Sequence, residues 1–249
     1  MRRFGTTFLS MILALGISIS DVVDVRAEEK APKNEVSQVL LDDIAEARKR
    51  VEQDASSVNY SKLAQAYGFA AMWDKAFTNA QEAVRRNGKN TDALNIIGIV
   101  YRLRGELDLA EQYFKKTIRL NPEYADVYGN YCNLFSQQGK HDDAVKMARK
   151  ALRLDPGRDD FVMKLGRTLR RAKRYDESSE VLQEAAKTRS DKSFFLYELG
   201  ATYHWAGKLQ KAINAYEQVP EGHKYHQKAQ KYKATAQKVL SEKKALNTK

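Results

Sequence analysis

The sequence has 249 residues, with 43 Lys and Arg against 32 Asp and Glu, and 43% of its residues are hydrophobic. This length suits one elongated domain or two small ones, and the composition is that of a folded chain rather than a disordered one. A single cysteine excludes an internal disulfide framework and any zinc site built from cysteines, and four prolines leave room for many helices.

The N-terminal segment, 1–27, has the pattern of an export signal. Arg2 and Arg3 precede an uncharged, mostly apolar run that ends before Asp21, and Ala27 stands at the spacing expected for cleavage. A membrane span needs about 20 apolar residues, and polar residues shorten this run. The pattern therefore predicts a signal peptide over 1–27, with an uncleaved membrane anchor as the alternative, and a disordered polar linker over 28–34.

The next segment, 35–56, is predicted to be a helix that caps the fold. Val36, Val39, Leu40, Ile44, Ala47 and Val51 follow an amphipathic helical spacing, which places apolar side chains on one helical face. Such a face needs a neighbouring element to cover it, and the residues that follow supply one.

A 34-residue period organises the chain from 57 to 226. Three sets of residues recur at this period: one of small residues, one of alanine or serine, and one of aromatic or large aliphatic residues. Three independent sets, or columns, with one period are the signature of a repeat architecture. The three columns are Gly98, Cys132, Gly166 and Gly200; Ala76, Ala110, Ala144, Ser178 and Ala212; and Tyr67, Tyr101, Phe135, Leu169 and Tyr203. We assign repeats to 57–90, 91–124, 125–158, 159–192 and 193–226, followed by a basic cap helix and tail over 227–249.

Each repeat is predicted to be a pair of antiparallel helices. The small residues allow the two helices to approach closely, and Gly105, Gly139 and Gly207 supply the left-handed turn that ends the first helix. Lys173 fills that slot in the fourth repeat, and the first repeat has Met72 and Trp73 near it. A single repeat cannot bury its apolar surface alone, so stacking of neighbours completes the core.

These columns resemble the tetratricopeptide repeat family, most clearly in the unit from Thr91 to Tyr124. The resemblance implies an all-α fold: a right-handed superhelix, or α-solenoid, of about five helix-turn-helix repeats with helical caps. It also implies a concave groove, lined by the first helix of each pair, that binds a peptide or a helix of a partner. A narrower likeness is to exported repeat proteins of bacterial pilus and secretion-system assembly, although this chain has no lipidation cysteine.

The expected groove is rich in basic and amide side chains. Arginine can bind carboxylates with two parallel hydrogen bonds, and asparagine can pair with the main chain of an extended peptide. These residues therefore predict a site for an acidic or carboxylate-bearing segment, although they are equally compatible with a solvated surface. Aromatic residues near the end of the groove are interpreted as core residues or as an exposed anchor. The candidates are Arg102, Asn130, Asn133, Lys164, Arg167, Arg170, Arg171, Tyr197 and Trp205.

No set of residues predicts catalysis. The sequence lacks a phosphate-binding loop, a nucleophile elbow and a dinucleotide fingerprint, so no enzyme activity and no cofactor are expected. His223 and His226 share a helical spacing but have no cysteine nearby in the sequence, and a solvated histidine pair is the favoured interpretation over a metal site. Cys132 occupies a small-residue position and is expected to be buried.

The C-terminal segment is strongly basic. Residues 223–249 contain eight lysines and one acidic residue, Glu242. Such a segment can bind an anionic membrane or cell-wall surface, or it can simply keep an exposed helix soluble. Export from the cell would make nucleic acid an unfavoured partner. The sequence thus predicts a periplasmic or secreted interaction scaffold. The alternative is a membrane-surface adaptor held by an uncleaved N-terminus and the basic tail.

Overall fold

A computed structural model describes residues 36–247, and every regular element among them is an α-helix. The expected signal peptide (1–27) and linker (28–34) lie outside the described residues. The twelve helices are α1 (Gln38–Gln53), α2 (Ser57–Phe69), α3 (Trp73–Arg86), α4 (Thr91–Leu103), α5 (Leu107–Leu120), α6 (Ala125–Gln137), α7 (His141–Leu154), α8 (Asp159–Arg171), α9 (Tyr175–Thr188), α10 (Lys192–Trp205), α11 (Leu209–Glu217) and α12 (His226–Asn247).

The helices stack in chain order. Helices α2 to α11 form five consecutive pairs, and each helix packs on the helices before and after it in the sequence. The first helices of neighbouring pairs, α2, α4, α6, α8 and α10, also touch one another. Contacts that stay within a repeat or join it to the adjacent ones define a solenoid, so the predicted all-α solenoid is confirmed.

Local sequence explains where the helices begin and end. The side chains of Ser56, Asn90 and Asp191 accept hydrogen bonds from main-chain N–H groups in the first turns of α2, α4 and α10. Acidic residues occupy the first turn of most second helices, and basic residues occupy their last turn, as the helix dipole favours. Helix α11 is shorter than the other second helices and ends at Glu217, ahead of Pro220.

The turn within each pair has the left-handed conformation that the glycine column predicted. Gly105, Gly139 and Gly207 have φ of +82°, +73° and +71°. Lys173 adopts the same conformation with φ of +60°, and Ala71 does so with φ of +55°. The first repeat therefore makes its turn just before Met72 and Trp73, at the position that Gly105 occupies in the second repeat.

Glycine at these two exceptional turns is expected to stabilise the fold. A side chain in the left-handed region costs roughly 1–2 kcal/mol, and the greater freedom of glycine in the unfolded chain cancels part of the gain. Lys173→Gly and Ala71→Gly should therefore each raise the free energy of unfolding by about 0.5–1 kcal/mol. Urea denaturation measures this, and Gly105→Ala is the matched control that should move the midpoint the opposite way. Lower midpoints for both glycine variants would contradict the argument.

The small-residue column is matched in size by the facing residue of the second helix. A Cβ atom placed on Gly98 would lie 2.6 Å from the ring of Phe114, and one placed on Gly200 would lie 2.5 Å from Tyr216. Gly166 faces Leu182 in the same way, at 2.8 Å. Where the first helix carries Cys132 instead, the corresponding residue of the second helix is Ala148, and both are buried in one cluster. Each repeat thus holds one large side chain or two small ones at this crossing.

Serine replaces alanine in the fourth repeat for a reason visible in the core. The Ser178 hydroxyl donates to the carbonyl oxygen of Gly166 at 2.8 Å and lies 3.1 Å from the hydroxyl of Thr202. Both serine and threonine are fully buried. The hydrogen bonds satisfy the hydroxyl groups, so a polar residue is tolerated where the other repeats place alanine.

The two ends of the solenoid are covered by single helices. Helix α1 packs on α2 and buries Ile44 and Ala47, and α12 packs on α11 and buries Ala236 and Val239. Within residues 36–247, none of the helices combines the length and the apolar character required for a membrane span.

Candidate functional site

The surface lined by the first helices, which we call the groove, is crossed by hydrogen bonds between consecutive repeats. The Asn130 side-chain amide donates to Asn95 Oδ1 at 3.1 Å, and Lys164 Nζ donates to Asn133 Oδ1 at 3.3 Å. Each bond joins residues about one repeat apart in the sequence. Four of the polar side chains on the floor of the groove are therefore held in place by their neighbours.

The next polar contact in this series is an ion-paired cluster around Glu198. This carboxylate is 2% exposed and accepts hydrogen bonds from Arg167 at 2.6 and 2.8 Å and from Arg170 at 3.0 Å. Helix α8 supplies the two arginines and α10 supplies the glutamate. The cluster therefore joins the fourth repeat to the fifth through a buried carboxylate.

This arrangement corrects the expectation that Arg167 and Arg170 are open receptors for a partner carboxylate. Their guanidinium groups already bind the chain's own carboxylate at Glu198. Sequence reasoning missed Glu198, although it occupies in the fifth repeat the position that Lys164 occupies in the fourth. Reversing either arginine to glutamate would bring like charges together in the core, and a loss of binding would then report unfolding.

Arg171 and Arg102 occupy a different environment. Arg171 is exposed at the last position of α8, and it has no ion-paired carboxylate within residues 36–247. Arg102 is half-buried, and its Nη1 donates to Gln137 Oε1 at 3.4 Å. Arg171 is thus the predicted groove arginine that remains open to an incoming carboxylate.

The two aromatic candidates separate. Tyr197 is 6% exposed, so it is a core residue and not an exposed anchor. Its ring stacks on Tyr225 with centroids 4.9 Å apart, because α11 ends early and the following loop folds Tyr225 over it. Trp205 is 47% exposed at the end of α10 and is available to a partner. Phe194, at the other end of α10, is partly buried against Tyr225.

A pocket with a volume of about 530 Å³ lies where these elements meet. Five cationic side chains and one carboxylate line it, and Phe194 and Trp205 contribute apolar surface from the two ends of α10. A pocket of this size accommodates one or two side chains of a partner. The lining residues are Asn133, Ser136, His141, Asp160, Met163, Lys164, Arg167, Thr168, Arg170, Arg171, Lys173, Tyr175, Phe194 and Trp205.

Burial tunes the polar groups beneath the pocket. Burial lowers the pKa of Lys164, because removing its ammonium group from water disfavours the charged form. The Cys132 thiol, which is fully buried as expected, has its pKa raised by burial and lies 3.3 Å from the Thr168 hydroxyl. The thiol is therefore a packing group, and exposed cations such as Arg171 and Lys173 dominate the electrostatics of the pocket mouth.

The histidine pair makes two separate structural contacts. His223 Nε2 lies 3.5 Å from Asp191 Oδ2, and His226 Nδ1 lies 2.9 Å from the carbonyl oxygen of Val219. In the described part of the chain, no three His, Cys, Asp or Glu side chains cluster as a metal site would require. Both histidines hold the loop between α11 and α12 in place.

The lysines of α12 face away from the solenoid. Lys228, Lys231 and Lys238 are exposed, whereas Lys233 lies nearer the core and pairs with Glu217 at 3.3 Å. Their spacing of three and seven residues puts the first three on one side of the helix. The helix thus buries Ala229, Ala236 and Val239 and presents positive charge to solvent.

Three solved structures illustrate the same fold. YrrB, described as a TPR protein with an unusual peptide-binding site, matches with a TM-score of 0.55 and 17% identity over 74% of this chain and 97% of that chain. TTC0263, a TPR protein of Thermus thermophilus, gives a TM-score of 0.57 and 18% identity over 73% and 98% of the two chains. Yeast Tom70 gives a TM-score of 0.62 and 16% identity over 83% of this chain and 44% of that one.

Family models agree with the period read from the sequence. Tetratricopeptide repeat models match residues 91–124 and 135–194. Among curated proteins, no match is found. The repeats make the chain a non-catalytic protein-protein interaction scaffold by architecture. From the sequence period, the stacked helix pairs and these matches, we conclude that the chain belongs to the tetratricopeptide repeat family.

Proposed function

We propose that the groove of this scaffold binds an acidic or carboxylate-bearing segment of a partner protein at the pocket between α6, α8 and α10. The observation that supports this most directly is the exposed positive charge of Arg171 and Lys173, which line the same pocket as the exposed Trp205, whereas Arg167 and Arg170 are already paired with Glu198. Arg171 and Lys173 offer open positive charge, and the indole ring offers an apolar contact. An arginine beside an exposed tryptophan is typical of binding hot spots.

Lys173 allows binding to be tested apart from stability. Lys173→Gly removes a pocket cation while relieving backbone strain, so weaker binding by this variant cannot result from unfolding. Combined with Arg171→Gln, it should weaken the partner complex by about tenfold, which corresponds to roughly 1.4 kcal/mol. Ala71→Gly relieves the same strain at the far end of the solenoid and should leave affinity unchanged.

The measurement is affinity capture with the chain lacking residues 1–27, followed by titration of each variant against the protein that is recovered. Affinity should also fall as salt rises, because exposed charges are screened over about 8–10 Å. If the double variant binds as tightly as the wild type, the pocket is not the site. A loss confined to variants of Lys231 and Lys238 would transfer the site to α12.

We further propose that the scaffold is exported and acts in a bacterial envelope assembly such as a pilus or secretion system, in the periplasm or outside the cell. The basic, apolar and small-residue pattern of 1–27 supports export. Mass spectrometry of the native protein should then find an N-terminus at or near Glu28. Recovery of intact Met1 in the membrane fraction would instead support the surface adaptor, in which the lysine face of α12 contacts anionic lipid.

A further inference from the structure

One rim of the groove carries a row of equivalent residues, the last residue of each first helix. Helices α2, α4, α6, α8 and α10 end at Phe69, Leu103, Gln137, Arg171 and Trp205, which lie one repeat apart in the sequence. Phe69, Leu103 and Trp205 are 69%, 45% and 47% exposed. The row is therefore apolar at both ends, polar in the middle, and positive one repeat before the tryptophan.

The spacing along this row follows from the stacking of the first helices. These helices touch side by side, as the bonds from Asn130 to Asn95 and from Arg167 to Glu198 show. Helices packed in this way have axes about 8–10 Å apart, so the row spans roughly 32–40 Å over its four intervals. An extended chain advances about 3.3 Å per residue, so about 10–12 residues cover the row and about three residues separate neighbouring repeats.

The floor of the groove beside this row determines which backbone conformation a bound partner segment can adopt. Amide and charged groups, including Asn130, Asn133 and Lys164, interrupt its apolar surface, so it lacks a continuous apolar trough. An amphipathic helix needs an apolar trough, whereas an extended segment has unpaired main-chain groups that amides can bond. After its bond to Lys164, Asn133 keeps its amide N–H groups for such pairing.

The opposite rim fixes where a carboxylate can lie. Asp92, Asp126 and Asp160 occupy the second position of three consecutive first helices, and Asp126 and Asp160 are both bonded to Arg158. The carboxylates of this rim offer a partner carboxylate no hydrogen-bond donor, whereas Arg171 on the other rim offers an exposed guanidinium group. The acidic residue of the segment must therefore lie about three residues from the side chain that contacts Trp205.

We propose that the groove recognises an extended segment, about 12 residues long at the rise of an extended chain, with an apolar side chain at each end and an acidic residue about three positions from one of these ends. Phe69 and Leu103 bind one apolar end, Trp205 binds the other, and Arg171 with Lys173 binds the carboxylate. This inference rests on the proposed function, because it specifies the partner of the same groove.

The test is selection of peptides from a randomised 16-residue display library by the chain comprising residues 28–249. Wild type should enrich peptides with an aromatic or aliphatic residue three positions from Asp or Glu and a second apolar residue about nine positions further along. Trp205→Ala should lower the preference at the apolar position near the acid by about tenfold, and Phe69→Ala should do so at the distant one. Arg171→Gln should lower the acidic preference and leave both apolar preferences unchanged. Leu109→Ala, which changes an exposed apolar residue on the second helix α5, is the matched control and should leave every preference unchanged.

The outcomes separate this inference from the proposed function. Two results would overturn the inference and leave the proposed acidic site unaffected. One is enrichment of acidic peptides without the two apolar ends, and the other is a preference for apolar ends that Phe69→Ala and Trp205→Ala do not change. Enrichment of helical, heptad-patterned peptides overturns the extended conformation. A library with no enriched peptide at all contradicts peptide binding by the groove and so overturns both proposals.

Discussion

Gly98→Ala and Gly200→Ala are expected to destabilise the fold by about 1–3 kcal/mol each, although alanine is the better helix former. The added Cβ atom would lie 2.6 Å from the Phe114 ring in the first case and 2.5 Å from the Tyr216 ring in the second. Both rings are fully buried, so they cannot move aside without displacing their own neighbours. Overpacking therefore outweighs the gain of about 0.5–1 kcal/mol that alanine brings to an open helical site.

A double-mutant cycle tests whether the two residues act as one packing unit. Phe114→Ala alone should cost about 3–5 kcal/mol, because it leaves a cavity in a close-packed core. The double variant Gly98→Ala, Phe114→Ala should cost at least about 1 kcal/mol less than the sum of the single changes, because the new methyl group fills part of that cavity. The first and third repeats already contain such pairs of small residues, Ala64 with Ala80 and Cys132 with Ala148.

Gly68→Ala provides the control for backbone effects. Gly68 is also helical, but a Cβ atom there would meet only the Trp73 ring at 3.5 Å, which is ordinary contact. This variant should be stabilised, in the opposite sense to Gly98→Ala. Chemical denaturation of the full chain gives all five free energies. Equal stabilisation by alanine at positions 68 and 98 would remove the close helix crossing as the reason for the glycine column.

The sequence was sufficient to predict this crossing because repetition makes geometry visible. Four small residues at one spacing indicate a constraint that each repeat meets independently, and Cys132 was placed in the core on that basis. Lys173 was identified as the residue in the glycine slot for the same reason. Ala71 was missed because the first repeat has no glycine to mark the turn, and only the backbone shows the left-handed conformation.

The sequence was sufficient to predict which helices line the groove, but not which of its polar side chains are bonded to one another. The period places Arg167, Arg170 and Asn130 on the surface of the first helices, yet it does not say which residue of the next repeat they contact. Their partners depend on how far each helix pair is rotated relative to its neighbour, which is a property of the packed structure. The sequence left Tyr197 between a core residue and an exposed anchor for a related reason, since the loop that covers it departs from the repeat pattern after Glu217.

Glu198→Gln is expected to have opposite effects on stability and on binding. Glutamine keeps the shape of the side chain and can still accept hydrogen bonds, but it removes the charge that two guanidinium groups share. Hydrogen bonds to charged groups contribute about 1.5–3 kcal/mol each. Arg167 is 39% exposed, so water can replace part of its lost interaction. Arg170 is only 17% exposed, so water replaces less of the interaction there. We expect destabilisation of about 2–3 kcal/mol, somewhat below the roughly 3–5 kcal/mol for breaking a fully buried ion pair, because Arg167 is partly exposed.

The same substitution raises the net charge beside the pocket by one unit and leaves two arginines without their internal carboxylate. The new glutamine still fills the buried position, but the added positive charge attracts carboxylates to the pocket, so acidic peptides should bind at least as tightly as they bind the wild type, while neutral peptides gain nothing. Hydrogen exchange should show faster opening of α8 and α10, with α2 and α4 unchanged, because the cluster joins only the fourth and fifth repeats. Arg171→Gln should instead weaken the binding of acidic peptides and leave the hydrogen exchange of α8 and α10 unchanged. If Glu198→Gln loses acidic binding while α8 and α10 remain protected, then Glu198 contacts the partner directly, and the cluster is part of the binding surface rather than a bond between repeats.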